Sequence, residues 1–137
     1  MRPVPPCPEL ARELRQSKRL QKFFDSLEDY QRIWIVEGIL DGKSKETRKR
    51  RAARAAEFLM EVMEAELDLP PVLQIAFVRH PNARREWESR TPHHRRASLL
   101  RLLEPRGLEA RAKAIHRLIE ELELGAAHFP AHSSNQQ

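Results

Sequence analysis

The chain has 137 residues, 40% of them hydrophobic and 33% charged, with a formal net charge of +5 and a pI near 9.9. That size admits one ordinary domain or two very small ones around a thin core. A single cysteine, Cys7, excludes an internal disulfide and a cysteine metal cluster, and the longest apolar run, IWIV at 33–36, is too short to span a bilayer.

The start, MRPVPPCPELARELR, lacks the apolar run of a signal peptide, so the expected location is cytoplasmic. Residues 1–7 read as a disordered, proline-rich arm. From Pro8 the pattern is helical, with a proline in the first turn and Leu10 and Leu14 one turn apart. Ser17 is positioned to cap a second helix carrying Leu20, Phe23, Phe24 and Leu27. Ser26 with Asp29 resembles a capping box for a third helix, whose expected core stripe is Ile33, Val36 and Leu40, with Gly42 as its stop. Ser44 caps a long fourth helix with an expected stripe of Ala52, Ala55, Leu59, Val62 and Met63.

Pro70-Pro71 ends that helix and starts the pattern again. Shifted by 63 residues without a gap, Pro8 falls on Pro71, Leu10 on Leu73, Ser26 on Ser89, Arg32 on Arg95, Arg48 on Arg111, Arg54 on Arg117 and Leu59 on Leu122. Phe24 meets Trp87 and Ile39 meets Leu102. A repeat of this length is the strongest organising signal in the chain. It predicts short helices over Pro71 to Val78 and Pro81 to Trp87, a helix opened by Thr91-Pro92, and a long helix from Gly107 to Leu124 with stripe Ile115, Leu118, Ile119 and Leu122. Gly125 is the expected stop of that last helix. The reading is all-α, two tandem four-helix repeats closed into one compact bundle. Its boundaries are an arm at 1–7, repeat 1 at 8–68, repeat 2 at 69–124 and a flexible tail at 125–137.

Lys43, Glu46, Thr47 and Arg48 form a Lys-x-x-Glu-Thr-Arg segment, and the second copy reads Arg106, Glu109, Ala110 and Arg111. With PELARELRQSKRLQKFFDSLEDYQRIWIVEGILDGKSKETRKRRAARAAEFL before and around it, the first copy resembles the helical domain of the bacteriocin-protection, YdeI/OmpD-associated family. The second copy resembles it with Ala110 in place of the motif threonine and Pro105 before the last helix. The resemblance covers about 8–66 and 69–124. It implies a helical fold without established catalytic residues, in a family linked with tolerance of antimicrobial peptides and envelope stress.

Projected at 100° per residue, Arg48 lies in line with Ala52, Ala55 and Leu59, on the core side, as Arg111 lies with Ile115 and Leu118. A half-buried arginine needs a partner. The expected carboxylates are Asp25 or Asp41 in the first copy, and Glu88 or Glu104 in the second. The run KSKETRKRR with Arg54 places seven bases at a helix start, against the helix dipole, while acids follow from Glu57. Pairing between repeats, and within the helix between Arg54 and Glu57, would recover part of the cost. The alternative is a polyanion site at Lys43, Thr47, Arg48, Arg50, Arg54, Arg111 and Arg117. Trp34 lies off the expected core stripe, and with Trp87 is a candidate contact between repeats or with a partner.

No three- or four-residue histidine pair lies on an expected helix, no glycine-rich phosphate loop occurs, and no nucleophile elbow is present. No metal, no cofactor and no catalytic residue is therefore expected. The expected role is a non-catalytic interaction or stress-tolerance module with a protein partner, monomer or homodimer being left open. Nucleic-acid binding at the long-helix starts is the second reading, and anionic-lipid or lipid-precursor binding the third.

Overall fold

The computed structural model describes residues 5–128. Among these are eight α-helices and no strand: α1 (Pro8–Leu14), α2 (Lys18–Asp25), α3 (Asp29–Leu40), α4 (Lys45–Leu67), α5 (Pro71–Arg79), α6 (Pro81–Ser89), α7 (Pro92–Leu103) and α8 (Leu108–His128). The chain divides into two compact units between Met63 and Glu64, within α4. Each helix of the first set begins 63 residues before its counterpart: Pro8 and Pro71, Lys18 and Pro81, Asp29 and Pro92, Lys45 and Leu108. The tandem-repeat reading of the sequence therefore holds at every helix start.

In unit 1 the core is Leu10, Leu14, Leu20, Phe23, Phe24, Leu27, Ile35, Ile39, Ala52, Ala56, Leu59 and Val62, all buried. Ser17 caps α2 by accepting from Leu20 N, and Ser44 caps α4 by accepting from Thr47 N. Cys7 belongs to this core at 6% exposure, as the residue preceding α1, so the expected arm does not reach position 7. Residues 1–4 lie outside the described part.

Unit 2 redistributes that core. Leu20 becomes Ala83, Leu14 becomes Phe77 and Phe24 becomes Trp87, all buried. Phe77 and Trp87 pack with ring centroids 5.8 Å apart, filling space that a leucine fills in unit 1. Trp87 is thus a core residue of its unit, 4% exposed and packed on Phe77, where the sequence made it a candidate contact between repeats or with a partner.

Three further expectations are corrected. The start of α3 is set by Glu28 and Gln31, Glu28 N donating to Gln31 Oε1 at 2.9 Å, whereas the Ser26 hydroxyl donates back to Phe23 O at 2.7 Å. The core face of α3 is Arg32, Ile35 and Ile39, while Ile33 (39%) and Leu40 (52%) are exposed. Arg32 is the reason: its guanidinium is held inward by backbone carbonyls, which turns the residues in line with it, at i+3 and i+7, toward the core. Finally, α8 runs through Gly125 to His128. Gly125 is an approach point, where a Cβ would stand 2.9 Å from Glu86 Oε2 of α6. Residues 125–128 are therefore helical and not part of a tail, and residues 129–137 are outside the described part.

Candidate functional site

Three polar residues kept in both repeats perform the same task in each. Ser26 Oγ donates to Phe23 O at 2.7 Å, and Ser89 Oγ donates to Glu86 O at 2.8 Å, the same position 63 residues on. Arg32 Nη1 donates to Leu27 O, and Arg95 Nη1 donates to the equivalent Arg90 O. Arg48 Nη1 donates to Gly42 O at 3.0 Å, and Arg111 Nε donates to the equivalent Pro105 O at 2.9 Å. Arg111 Nη2 also reaches Leu103 O at 3.0 Å. These side chains donate to carbonyls at helix ends and in the turns that follow them. Arg48 and Arg111 are therefore turned inward, toward the backbone.

Arg48 is half-buried and paired, as its azimuth implied, but its carboxylate is Glu9 of α1 at 3.3 Å, not Asp25 or Asp41. Asp41 instead lies 3.9 Å from Arg51, and Asp25 accepts from Gln21. In unit 2 Glu88 pairs with Arg84 at 3.7 Å. A helical projection fixes which way a side chain points but not which distant helix end lies beneath it. Glu9 sits in the first turn of its helix, where its own backbone N–H and then the Arg48 guanidinium hold its carboxyl below the ordinary 4.5. Burial pushes the Cys7 thiol up, so little of it is thiolate at neutral pH.

The remaining bases at the start of α4 are surface groups. Lys43, Lys45, Lys49, Arg50 and Arg54 are exposed, and none makes an ion pair with a described residue. The expected Arg54–Glu57 pair is not formed. Arg50 Nη2 donates to Thr47 Oγ1 at 3.3 Å, and that hydroxyl also accepts from Ser44 Oγ at 2.9 Å. Thr47 thus serves the helix cap, and Glu46 is exposed. Arg117 is likewise exposed on α8. The structure brings Lys43, Thr47 and Arg50 to one helix start, turns Arg48 away from it, and puts Arg54 two turns along.

Two features go beyond the sequence reading, which singled out only Trp34 of the first. The first is the outer face of α3. Tyr30 (59%), Ile33, Trp34 (45%) and Leu40 lie opposite the buried Arg32, Ile35 and Ile39, so this helix carries apolar residues on its outer side as well, with the exposed Glu37 among them. Trp34 packs edge-on against Phe58 of α4, centroids 6.1 Å apart, within unit 1. Arg51 of α4 donates to Gly38 O of α3 at 2.8 Å, and Arg54 follows one turn later on the way to Phe58, so the apolar face is bordered by bases.

The second is a cleft of about 410 Å³ in unit 2, lined in part by Glu66, Leu69, Trp87, His93, Arg95 and Arg96. Across it Arg96 and Glu66 form a two-pronged ion pair, at 2.5 and 3.0 Å. Among the described residues no group of three His, Cys, Asp or Glu side chains gathers that could hold a metal, and His93 and His94 are exposed. No helix there is long and apolar enough to cross a membrane.

Comparison with known proteins yields no matching curated protein and no matching solved structure. The family model for bacteriocin-protection, YdeI or OmpD-associated proteins matches twice, over residues 4–61 and 66–125. Those two matches coincide with the two sets of four helices and take in the paired Ser26/Ser89, Arg32/Arg95 and Arg48/Arg111. The chain belongs to the bacteriocin-protection, YdeI or OmpD-associated family, of which it carries two tandem copies.

Proposed function

We propose that this protein is a non-catalytic interaction module serving stress tolerance, and that its docking surface is the outer face of α3. The observation that carries this reading is the cluster of exposed apolar residues on the outer side of α3, around Glu37. A helix of a small domain normally turns its second side to water with polar residues, and one that is apolar all round is normally covered. Here Tyr30, Ile33, Trp34 and Leu40 are exposed together. A half-exposed tryptophan held by one aromatic contact is the kind of residue that anchors interfaces.

The occupant that fits is an amphipathic helix of a partner protein with acidic residues beside its apolar stripe. Arg51 and Arg54 border the face and supply the charge complement. Unit 2 does not offer the same surface, because Ile33 and Trp34 correspond there to Arg96 and Ala97. The working probe is a fluorescein-labelled amphipathic peptide of leucines and glutamates, beside a scrambled peptide of the same composition. Micromolar binding of the amphipathic form, lost in I33R/W34A, supports the reading. Equal binding of both peptides, or no effect of I33R/W34A, removes it.

A second reading rests on a separate observation, the exposed and unpaired Lys43, Lys45, Lys49, Arg50 and Arg54 at the start of α4. Such a cluster suits the phosphates of a nucleic acid. Fluorescence anisotropy with short DNA and RNA over a salt series separates the two. Binding that weakens linearly with log salt, and is lost in R50E/R54E but kept in I33R/W34A, belongs to this second reading.

A further inference from the structure

The two equivalent arginines Arg32 and Arg95 differ in their partners. Both donate to the same carbonyl of their repeat, but Arg32 is more buried, also donates to Asp25 O and pairs with Asp29. The position of Asp29 in the second repeat is Pro92. Among the described residues Arg95 makes one hydrogen bond, to Arg90 O, and no ion pair. Its guanidinium therefore keeps donors and a full charge without an internal counter-ion. Arg95 and Pro92 both line the cleft of unit 2.

The other charges of the cleft do not compensate it. Glu66 is engaged by both prongs of Arg96. His93 adds a second polar group at the rim and Trp87 and Leu69 supply apolar wall, in a volume of a size that small organic ligands fill. From this vacancy of charge we infer that the unit 2 cleft binds a small organic monocarboxylate with an apolar body, its carboxylate taking on Arg95 the place that the Asp29 carboxylate holds on Arg32. A carboxylate is the anion indicated because the first repeat displays that pairing internally. One negative charge suffices because one cation is uncompensated.

The full chain carries its own reporter, since Trp87 lines the cleft and Trp34 does not. In a W34F background, 3-phenylpropionate is titrated against Trp87 emission, with 3-phenylpropanamide as its uncharged counterpart and inorganic phosphate as an anion without an apolar body. The expected result is saturable binding of the acid at about 1 mM or below, with the amide and phosphate at least about tenfold weaker. P92D restores the internal counter-ion in unit 2 and so competes with the ligand, and R95M removes the cation. Each should weaken binding by at least about tenfold while circular dichroism stays helical. If P92D perturbs the start of α7, R95M carries the same comparison. Equal binding of acid and amide overturns the inference, as do an unchanged titration in folded P92D or R95M and the absence of a saturable response to the acid. None of these outcomes bears on the outer face of α3, which lies in unit 1.

Discussion

Replacing Arg32 and Arg95 by methionine, one at a time, tests whether the repeat arginines are structural. Arg32 is 5% exposed, accepts no water-facing role, and donates to Leu27 O, to Asp25 O at 2.9 Å and to Asp29. Methionine of similar length would keep the packing of the stem but leave two carbonyls at the α2–α3 junction without their donor. Each lost bond to a charged donor costs about 1.5 kcal/mol, and the buried, unpartnered Arg32 Nε gives a fraction back on removal. The expected cost of R32M is about 2–3 kcal/mol. Arg95 is less buried, holds one carbonyl and has no carboxylate, so R95M should cost about 1 kcal/mol. Urea unfolding followed by circular dichroism and by tryptophan emission would measure both, since Trp34 reports on unit 1 and Trp87 on unit 2. Equal costs at the two positions, or a cost below about 0.5 kcal/mol at Arg32, would refute the assignment of these arginines to junction carbonyls.

Two glycines should respond in opposite directions. Gly38 lies inside α3 with nothing within 4 Å of an added Cβ, so G38A should stabilise by about 0.5–1 kcal/mol. At Gly42 the same methyl would meet Thr47 Cγ2 at 3.0 Å and both Arg48 Cγ and Ile39 O at 3.2 Å, so thermal melts should show G42A destabilised and the Arg48 clamp loosened. Leu59 is fully buried, and L59A should cost about 2–5 kcal/mol in denaturant unfolding. Glu9 gives a pH prediction. Its folded carboxyl titrates below 4.5, so its contribution is complete above that value and is lost as pH falls through the lower folded value. In an NMR titration R48M should raise the Glu9 midpoint only part of the way to 4.5, because its backbone N–H bond remains. A return all the way would place the shift on Arg48 alone.

Much of this architecture is legible without coordinates. Helix starts depend on neighbours in sequence, and the caps at Ser17, Ser44 and Thr91 form as their residues indicate. The 63-residue offset resolved the one ambiguous stretch, IWIV, because its second copy has helical spacing and no alternation. The inner face of α3 was not legible. Ile33, Val36 and Leu40 form as good a stripe as Ile35 and Ile39, and a charged Arg32 would not be counted as core by any hydrophobicity argument. The bonds from Arg32 to Asp25 O and Leu27 O make that burial affordable and so turn the helix.

The site followed the same division. Exposure of Lys43, Arg50 and Arg54 at the start of α4 agreed with their charge, while the inward turn of Arg48 was read correctly and its partner Glu9 was not. Thirty-nine residues separate that pair, and no periodicity connects them. Pro92 in the place of Asp29 stood in the sequence from the outset, yet it means nothing until Arg95 is seen beside a cleft. By itself the sequence determined the helices, their caps and their repetition, because these depend on backbone propensity and on residues within one or two turns. Only the tertiary structure decided which face of α3 is buried, which carboxylate meets Arg48 and which arginine is left without one. Those outcomes turn on donors and carbonyls brought together from different helices.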